Sequence, residues 1–149
     1  MSTVTAAVRG AQADDLGAIC ALLVRCGLPV DDLTAALLGD FVVAVDGGRI
    51  VGTAAVQRFG VVGLLRSVAV EPDWRGHGVA AALVESAEER ARSLGLRELW
   101  LLTATAQAYF AQRGYCLAVR TEAPASIQAG SQFAALCPAS AACMCKPLR

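Results

Sequence analysis

Val68-Ala-Val-Glu-Pro-Asp-Trp-Arg-Gly-His-Gly-Val-Ala80 is the stretch that decides the fold. A β-branched run stops at Pro72, and a glycine-punctuated basic loop then opens directly into a helix. Gly76 and Gly78 accept φ > 0 and carry no Cβ, so successive N–H groups can turn toward one point. The first turn of the following helix adds unpaired donors and a positive dipole end, which together make an anion site. Arg75 and His77 add charge or donors beside it. A Rossmann fingerprint would need three glycines and an acid about 20 residues further on, and a Walker loop would end in Gly-Lys-Ser/Thr. Neither pattern is present.

The helix after the loop is expected to put Ala80, Leu83, Val84, Ala87, Ala91 and Leu94 on one face, with Glu85, Glu88, Glu89, Arg90 and Arg92 elsewhere and Gly95 as its stop. Before the loop, Phe41 to Val45 and Arg49 to Gln57 read as strands joined by the hairpin signal Asp46-Gly47-Gly48, and Val61 to Val70 as a third. Glu98 to Thr103 is a further strand, parallel to its predecessor because a helix intervenes. Toward the N-terminus, Val4 to Arg9 reads as a strand and Asp14 to Cys26 as a helix capped by Asp14. Asp31 is expected to cap a second helix carrying Leu33, Leu37 and Leu38. Beyond Thr103 come a short helix ended at Gly114, a strand from Tyr115 to Thr121, a helix from Pro124 to Leu136 and a last strand from Ala141 to Cys145.

The 149 residues suit a single domain, 1–149, large enough for one core. With 56% hydrophobic and 17% charged residues the chain is apolar, so part of its surface is expected in a subunit interface, as in a homodimer. Net charge is zero and no basic block occurs, which gives no reason to expect nucleic acid or an anionic membrane as partner. No leader pattern and no apolar run of about 18 residues is seen, so a cytoplasmic protein is expected. The six cysteines form no C-x-x-C pair, and the single histidine lies in the loop, so no metal site is expected. Reduced thiols acting as small core hydrophobes are the default.

Arg75-x-x-Gly78-x-Ala80, preceded by Val68, Val70 and Pro72, resembles the acetyl-CoA pyrophosphate loop of the GNAT superfamily of N-acetyltransferases. Thr103, Ala106, Phe110, Gly114 and Tyr115 are similar to the superfamily's second segment, Asn-x-x-Ala-x-x-x-Tyr-x-x-x-Gly-Phe, with two polar positions changed. Leu101 to Tyr115 also resembles a segment of N-acetylglutamate synthases. Leu65 to Val70 and Ser131 to Met144 resemble the small N-acetyltransferases of bacterial arsenic-resistance operons. The resemblance implies an α/β (α+β) GNAT fold: a mixed, mostly antiparallel sheet of about six to seven strands, splayed at the cofactor site and flanked by helices. It further implies acetyl-CoA as co-substrate, without a metal, and a small amine as acceptor. Backbone groups of Val68, Ala69 and Val70 would then meet pantetheine and the acetyl carbonyl, and Arg75, Gly76, His77, Gly78, Val79 and Ala80 the pyrophosphate.

Acetyl transfer needs the reactants placed, the thioester carbonyl polarised, a proton lost from the amine and the leaving thiolate relieved of charge. The superfamily's thiolate-protonating tyrosine is Phe110 here, and Tyr109 lies about 100° away around a helix. Thr103, Thr105, Tyr109 or a water are therefore the candidate donors. Glu71 and Glu122 lie near strand ends, where solvation is expected. Arg66 shares a face with Val68 and Val70 on an unbulged strand and is the candidate to bind an acceptor carboxylate, pairing with a structural acid being the alternative. The acceptor expected is an α-amino acid or an amino-acid-like, including arsenic-containing, compound. Two other classes stay open: a catalytically silent acetyl-CoA-binding module, and a thiol-based binder of arsenic or a soft metal through Cys137, Cys143 and Cys145.

Overall fold

The computed structural model describes residues 6–130 and 141–148. Seven strands form one sheet in the order β1-β2-β3-β4-β5-β7-β6. They are β1 Ala7–Gly10, β2 Phe41–Asp46, β3 Arg49–Phe59, β4 Val62–Val70, β5 Glu98–Thr103, β6 Cys116–Leu117 and β7 Ala142–Pro147. Every neighbouring pair is antiparallel except β4 and β5. Helix α2, Val79–Ser93, makes the crossover that lets those two run parallel. This is the mixed, mostly antiparallel α/β architecture expected.

Two apolar layers hold the helices to the sheet. Ile19, Leu22 and Leu23 of α1, Leu16–Arg25, pack with Phe41, Val43, Ala55 and Ala69 on one face. Val79, Leu83, Val84, Ala87 and Ala91 of α2 pack with Val42, Ala44, Ala54, Val56 and Leu65 on the other. Phe110 of α3, Gln107–Gln112, joins that second layer, whereas Ile127 of α4, Ala125–Gln128, packs with Leu64, Trp100 and Cys143. Each fully buried aliphatic side chain contributes about 1.5–3 kcal/mol.

The middle of β4 is interrupted. Ala55 pairs with Arg66 and Thr53 with Ala69, so Ala54 faces two residues, Ser67 and Val68. Ser67 takes φ +56°, the left-handed region, and its carbonyl accepts the Thr53 hydroxyl at 2.7 Å. This bulge inverts the alternation of side chains. Arg66 and Ala69 share the α1 face with their partners Ala55 and Thr53, while Val68 and Val70 pack toward α2. The expectation that Arg66 shares a face with Val68 and Val70 is thereby corrected.

Several local expectations also change. The segment after Pro29 is a 3-10 helix, Ala35–Asp40, that follows Thr34 rather than an α-helix capped by Asp31, because so short a run cannot offset the cost of nucleating an α-helix. Asp15, not Asp14, ties down the start of α1, accepting from the Gln12 N–H at 2.7 Å and from Arg9 at 2.8 Å. The strand expected to run to Thr121 stops at Leu117, where a turn leads into the 3-10 segment Arg120–Glu122. The helix expected from Pro124 to Leu136 is present only as α4, which stops at Gln128 with a turn at Ala129 and a bend at Gly130; residues 131–140, Cys137 among them, lie outside the described residues. Glu88, read as outward, is buried: it accepts from the Tyr115 hydroxyl at 2.8 Å and from Lys146 Nζ at 3.0 and 3.1 Å. Burial, reinforced by the Glu88 charge, pushes the Tyr115 phenol upward.

Candidate active site

The parallel pairing of β4 and β5 ends at Leu64 and Trp100, and beyond it the two strands diverge. The divergence opens a cleft of about 870 Å³ lined by Leu64 to Val70 on one side and Leu101 to Ala106 on the other. Cys26 to Pro29 and Asp31 also line it, as do Tyr109 and Phe110 of α3. A smaller cavity of about 250 Å³ lies at the start of α2, lined by Trp74, Arg75, Gly76, Gly78, Val79 and Ala80. Val70, Arg75, Ala80 and Tyr109 line both spaces, so the two adjoin there.

Gly76 and Gly78 both take φ near +80°, and Gly78 is the N-cap of α2. A Cβ added at Gly76 would meet nothing within 4 Å in the protein, so the requirement there is the backbone conformation and the space beside the α2 donors. Val79 is 1% exposed and contributes its backbone alone, its side chain being core. His77 is exposed, its ring edge-on to Trp74 at 6.2 Å, and it lines neither cavity. Arg75 lines both cavities, yet its Nε donates to the Val70 carbonyl at 3.1 Å and an Nη approaches Cys26 Sγ at 3.6 Å. Its fork is thus turned back toward the end of β4 instead of into the loop.

The proton-donor candidates separate clearly. Thr103 Oγ1 accepts the Ala106 N–H at 2.9 Å and closes the turn before α3, a local backbone role. Thr105 is exposed at the cleft. Phe110 is 5% exposed and meets Tyr115 edge-on at 5.5 Å, so it belongs to the core. Tyr109 lines both spaces, and its hydroxyl is buried with no hydrogen-bond partner among the described residues. Sequence reasoning that places Tyr109 off the catalytic direction follows the superfamily's register. Tyr109 lines both spaces, whereas Phe110 lines only the larger.

Arg66 lines the cleft but is heavily committed. Its Nη1 and Nη2 fork onto Asp32 at 2.5 and 2.7 Å, Nη1 also reaches Gln57 at 3.1 Å, and Nε reaches Ser67 Oγ at 3.2 Å. Of the five N–H donors on a guanidinium, these four bonds leave one. The alternative of a structural acid is therefore realised, with Asp32 as that acid rather than a residue on β5.

Glu71, expected to be solvated, is 4% exposed. Arg25 and Arg49 hold it at 2.6 and 3.0 Å, and the Arg25 hydrogen bond, with Arg49 assisting, keeps its carboxyl below the usual range despite burial. It is committed to joining α1, β3 and the end of β4 and is not available as a base. Glu122 is exposed as expected. Burial pushes the Cys143 thiol up, and burial followed by the Glu98 charge pushes Cys145 up to about 11. Among the described residues no group of three or more His, Cys, Asp or Glu could hold a metal ion, and no helix is long and apolar enough to cross a membrane.

The sequence profile of the Acetyltransferase (GNAT) family matches residues 18–115. The chain is similar to the amino-acid acetyltransferase of Azotobacter vinelandii, at 36% identity over 80 residues, which are 52% of this chain and 18% of that protein. It is also similar to the amino-acid acetyltransferase of Pseudomonas aeruginosa PAO1, at 43% over 53 residues, 36% of this chain and 12% of that protein. It thus spans less than a fifth of the length of either relative. Among solved structures, N-acetylglutamate synthase from Neisseria gonorrhoeae, complexed with coenzyme A and N-acetyl-glutamate, superposes with a TM-score of 0.85 at 21% identity over 99% of this chain and 36% of that one. Rv2747 from Mycobacterium tuberculosis, in complex with CoA and NLQ, gives 0.81 at 24% identity over 96% and 99% of the two chains.

Proposed function

Since the chain belongs to the Acetyltransferase (GNAT) family, we propose that it is an acetyl-CoA-dependent N-acetyltransferase acting on the α-amine of a small amino acid or amino-acid-like compound. The observation that carries this reading is the pair of adjoining spaces, one at the N-terminus of α2 and one between the diverging strands β4 and β5, the latter also lined by Cys26 to Pro29 and Asp31. The diphosphate sits on Gly76, Gly78 and the first turn of α2, and pantetheine lies between β4 and β5. The names of the relatives support the acceptor class.

The acceptor enters from the opposite end, and its amine lone pair attacks the thioester carbonyl carbon. The tetrahedral intermediate collapses with cleavage of the C–S bond. The leaving thiolate takes the Tyr109 proton, since that hydroxyl has no competing partner among the described residues, and the phenolate regains a proton from water before the next turnover. The ammonium proton goes to water at the open acceptor end, where Asp31 is the lining carboxylate. Arg66 offers the acceptor carboxylate its one remaining N–H and, through Asp32, fixes the loop that walls this end.

The test is acceptor-dependent thiol release from acetyl-CoA with α-amino acids, polyamines and lysine peptides. Because of the likeness to acetyltransferases of arsenic-resistance operons, an arsenic-bearing amino acid belongs in the same panel. Turnover with α-amino acids is expected. Acceptor-independent binding alone would return the silent cofactor module, a reading that Phe110 at the superfamily's tyrosine position otherwise favours.

A further inference from the structure

Tyr109 and Arg113 are four residues apart, so they meet on one face at the end of α3. The Arg113 guanidinium carbon sits 4.9 Å from the Tyr109 ring centroid, in cation–π contact. Among the described residues, the Tyr109 hydroxyl and Arg113 Nε are the buried side-chain polar atoms without a hydrogen-bond partner. Folding leaves such donors unmatched at considerable cost, and two adjacent ones at a cavity wall point to a group that completes them. The cavity they share is the smaller one, whose opposite wall is Arg75, Gly76, Gly78 and the start of α2. Arg113 has one competing anion, Glu85, at 3.9 Å, and that carboxylate is 72% exposed, so the pairing is weak and screened.

We propose that Arg113 is a second clamp on the cofactor diphosphate, facing the glycine loop across this cavity and held in position by its stack on Tyr109. The proposal rests on the acetyl-CoA reading above. Its physical basis is the disposition of Arg75. That side chain is turned onto the Val70 carbonyl and Cys26, so the loop supplies backbone donors but not a guanidinium fork. Arg113 supplies the planar cation from the other side. Its unpaired Nε and a neighbouring Nη can take two phosphate oxygens together, while α2 donors take the others. Negative charge is then met from both walls instead of one.

The experiment compares the affinity of CoA, dephospho-CoA and pantetheine for the wild type, Arg113→Met, Tyr109→Phe and Tyr109→Leu, by calorimetry for the nucleotides and ligand-observed NMR for pantetheine. Arg113→Met is expected to weaken CoA and dephospho-CoA alike by about tenfold, the loss of one charge-assisted pair, and to leave pantetheine unchanged. Tyr109→Phe keeps the ring and retains nucleotide affinity. Tyr109→Leu removes the platform and behaves as Arg113→Met does. A loss confined to CoA would assign Arg113 to the 3′-phosphate and overturn the proposal. An equal loss for all three ligands would make Arg113 a fold-holding residue, and no loss would remove it from the site. A wild-type protein that bound none of them would refute the acetyl-CoA reading itself, a different outcome from any of these.

Discussion

Replacing Arg66 by methionine tests the fold and the acceptor end together. The substitution keeps much of the side chain's length and removes four hydrogen bonds, two of them to Asp32. The Arg66 side chain is 2% exposed and that of Asp32 15%, so the carboxylate left behind is largely cut off from water. Breaking a buried pair from one side costs about 3–5 kcal/mol, and the partial access of Asp32 puts this case near the lower figure. For a chain of this size that corresponds to a fall of roughly 6–12 °C in Tm. Adding Asp32→Asn removes the negative charge that Arg66 had matched, so the double variant should regain part of the loss. In the thiol-release assay, run well below the lower Tm, Arg66→Met should raise KM for the α-amino acid about tenfold while KM for acetyl-CoA holds. A Tm within a degree of wild type, or a double variant as unstable as the single, would refute the argument from the lost ion pair. An unchanged acceptor KM would remove Arg66 from the substrate end.

Gly78→Val should weaken CoA binding by calorimetry, because a β-branched residue at φ +80° is strained and crowds the phosphate seat; an unchanged affinity would remove the loop from the cofactor site. Tyr109→Phe should lower kcat on acetyl-CoA without moving its KM, and equal kcat would end the assignment of the thiolate proton donor. Gly52→Ala places a Cβ 2.7 Å from Leu83 Cδ1 and 3.2 Å from the Ala69 carbonyl, so it should destabilise by about 1–3 kcal/mol in urea melts; a neutral result would show that α2 can shift away. Glu71 has a native pKa below its ordinary 4.5, so its ion pairs stabilise fully above that value and are lost as pH falls through the depressed native one. Arg25→Met with Arg49→Met should therefore flatten the acid limb of a stability-versus-pH curve, and an unaltered limb would refute the assignment.

The glycine loop and the strands on either side of it were legible because their signals are local: β-branched runs, a proline stop and a helix opening lie within a dozen residues. Phe41, Arg49 and Glu98 begin strands where alternation and turn residues put them. The bulge was not legible, because Ser67 looks like any strand residue and the alternation reads smoothly through it; only the pairing with Thr53 and Ala55 exposes the extra residue. The same applies to charges. Glu88 and Glu71 sit on faces that look solvated until Lys146, 58 residues away, and Arg25, 46 residues away, arrive beside them. Motif register alone does not separate Tyr109 from Phe110: Phe110 packs edge-on against Tyr115, while Tyr109 lines both spaces.

The early parting of β4 from β5 means that this sheet has an edge in its interior. Past Leu64 the facing backbone groups of the two strands no longer pair with one another across the gap. A pantetheine arm, itself an extended amide chain, can occupy that gap as a surrogate strand. Seen this way, the cofactor completes the sheet as well as delivering the acetyl group. Those amide hydrogens from Leu65 to Val70 that point away from β3 should exchange slowly only when the gap is filled, and at a hundredfold excess over Kd the ligand would add about 2.7 kcal/mol to the stability of the whole fold.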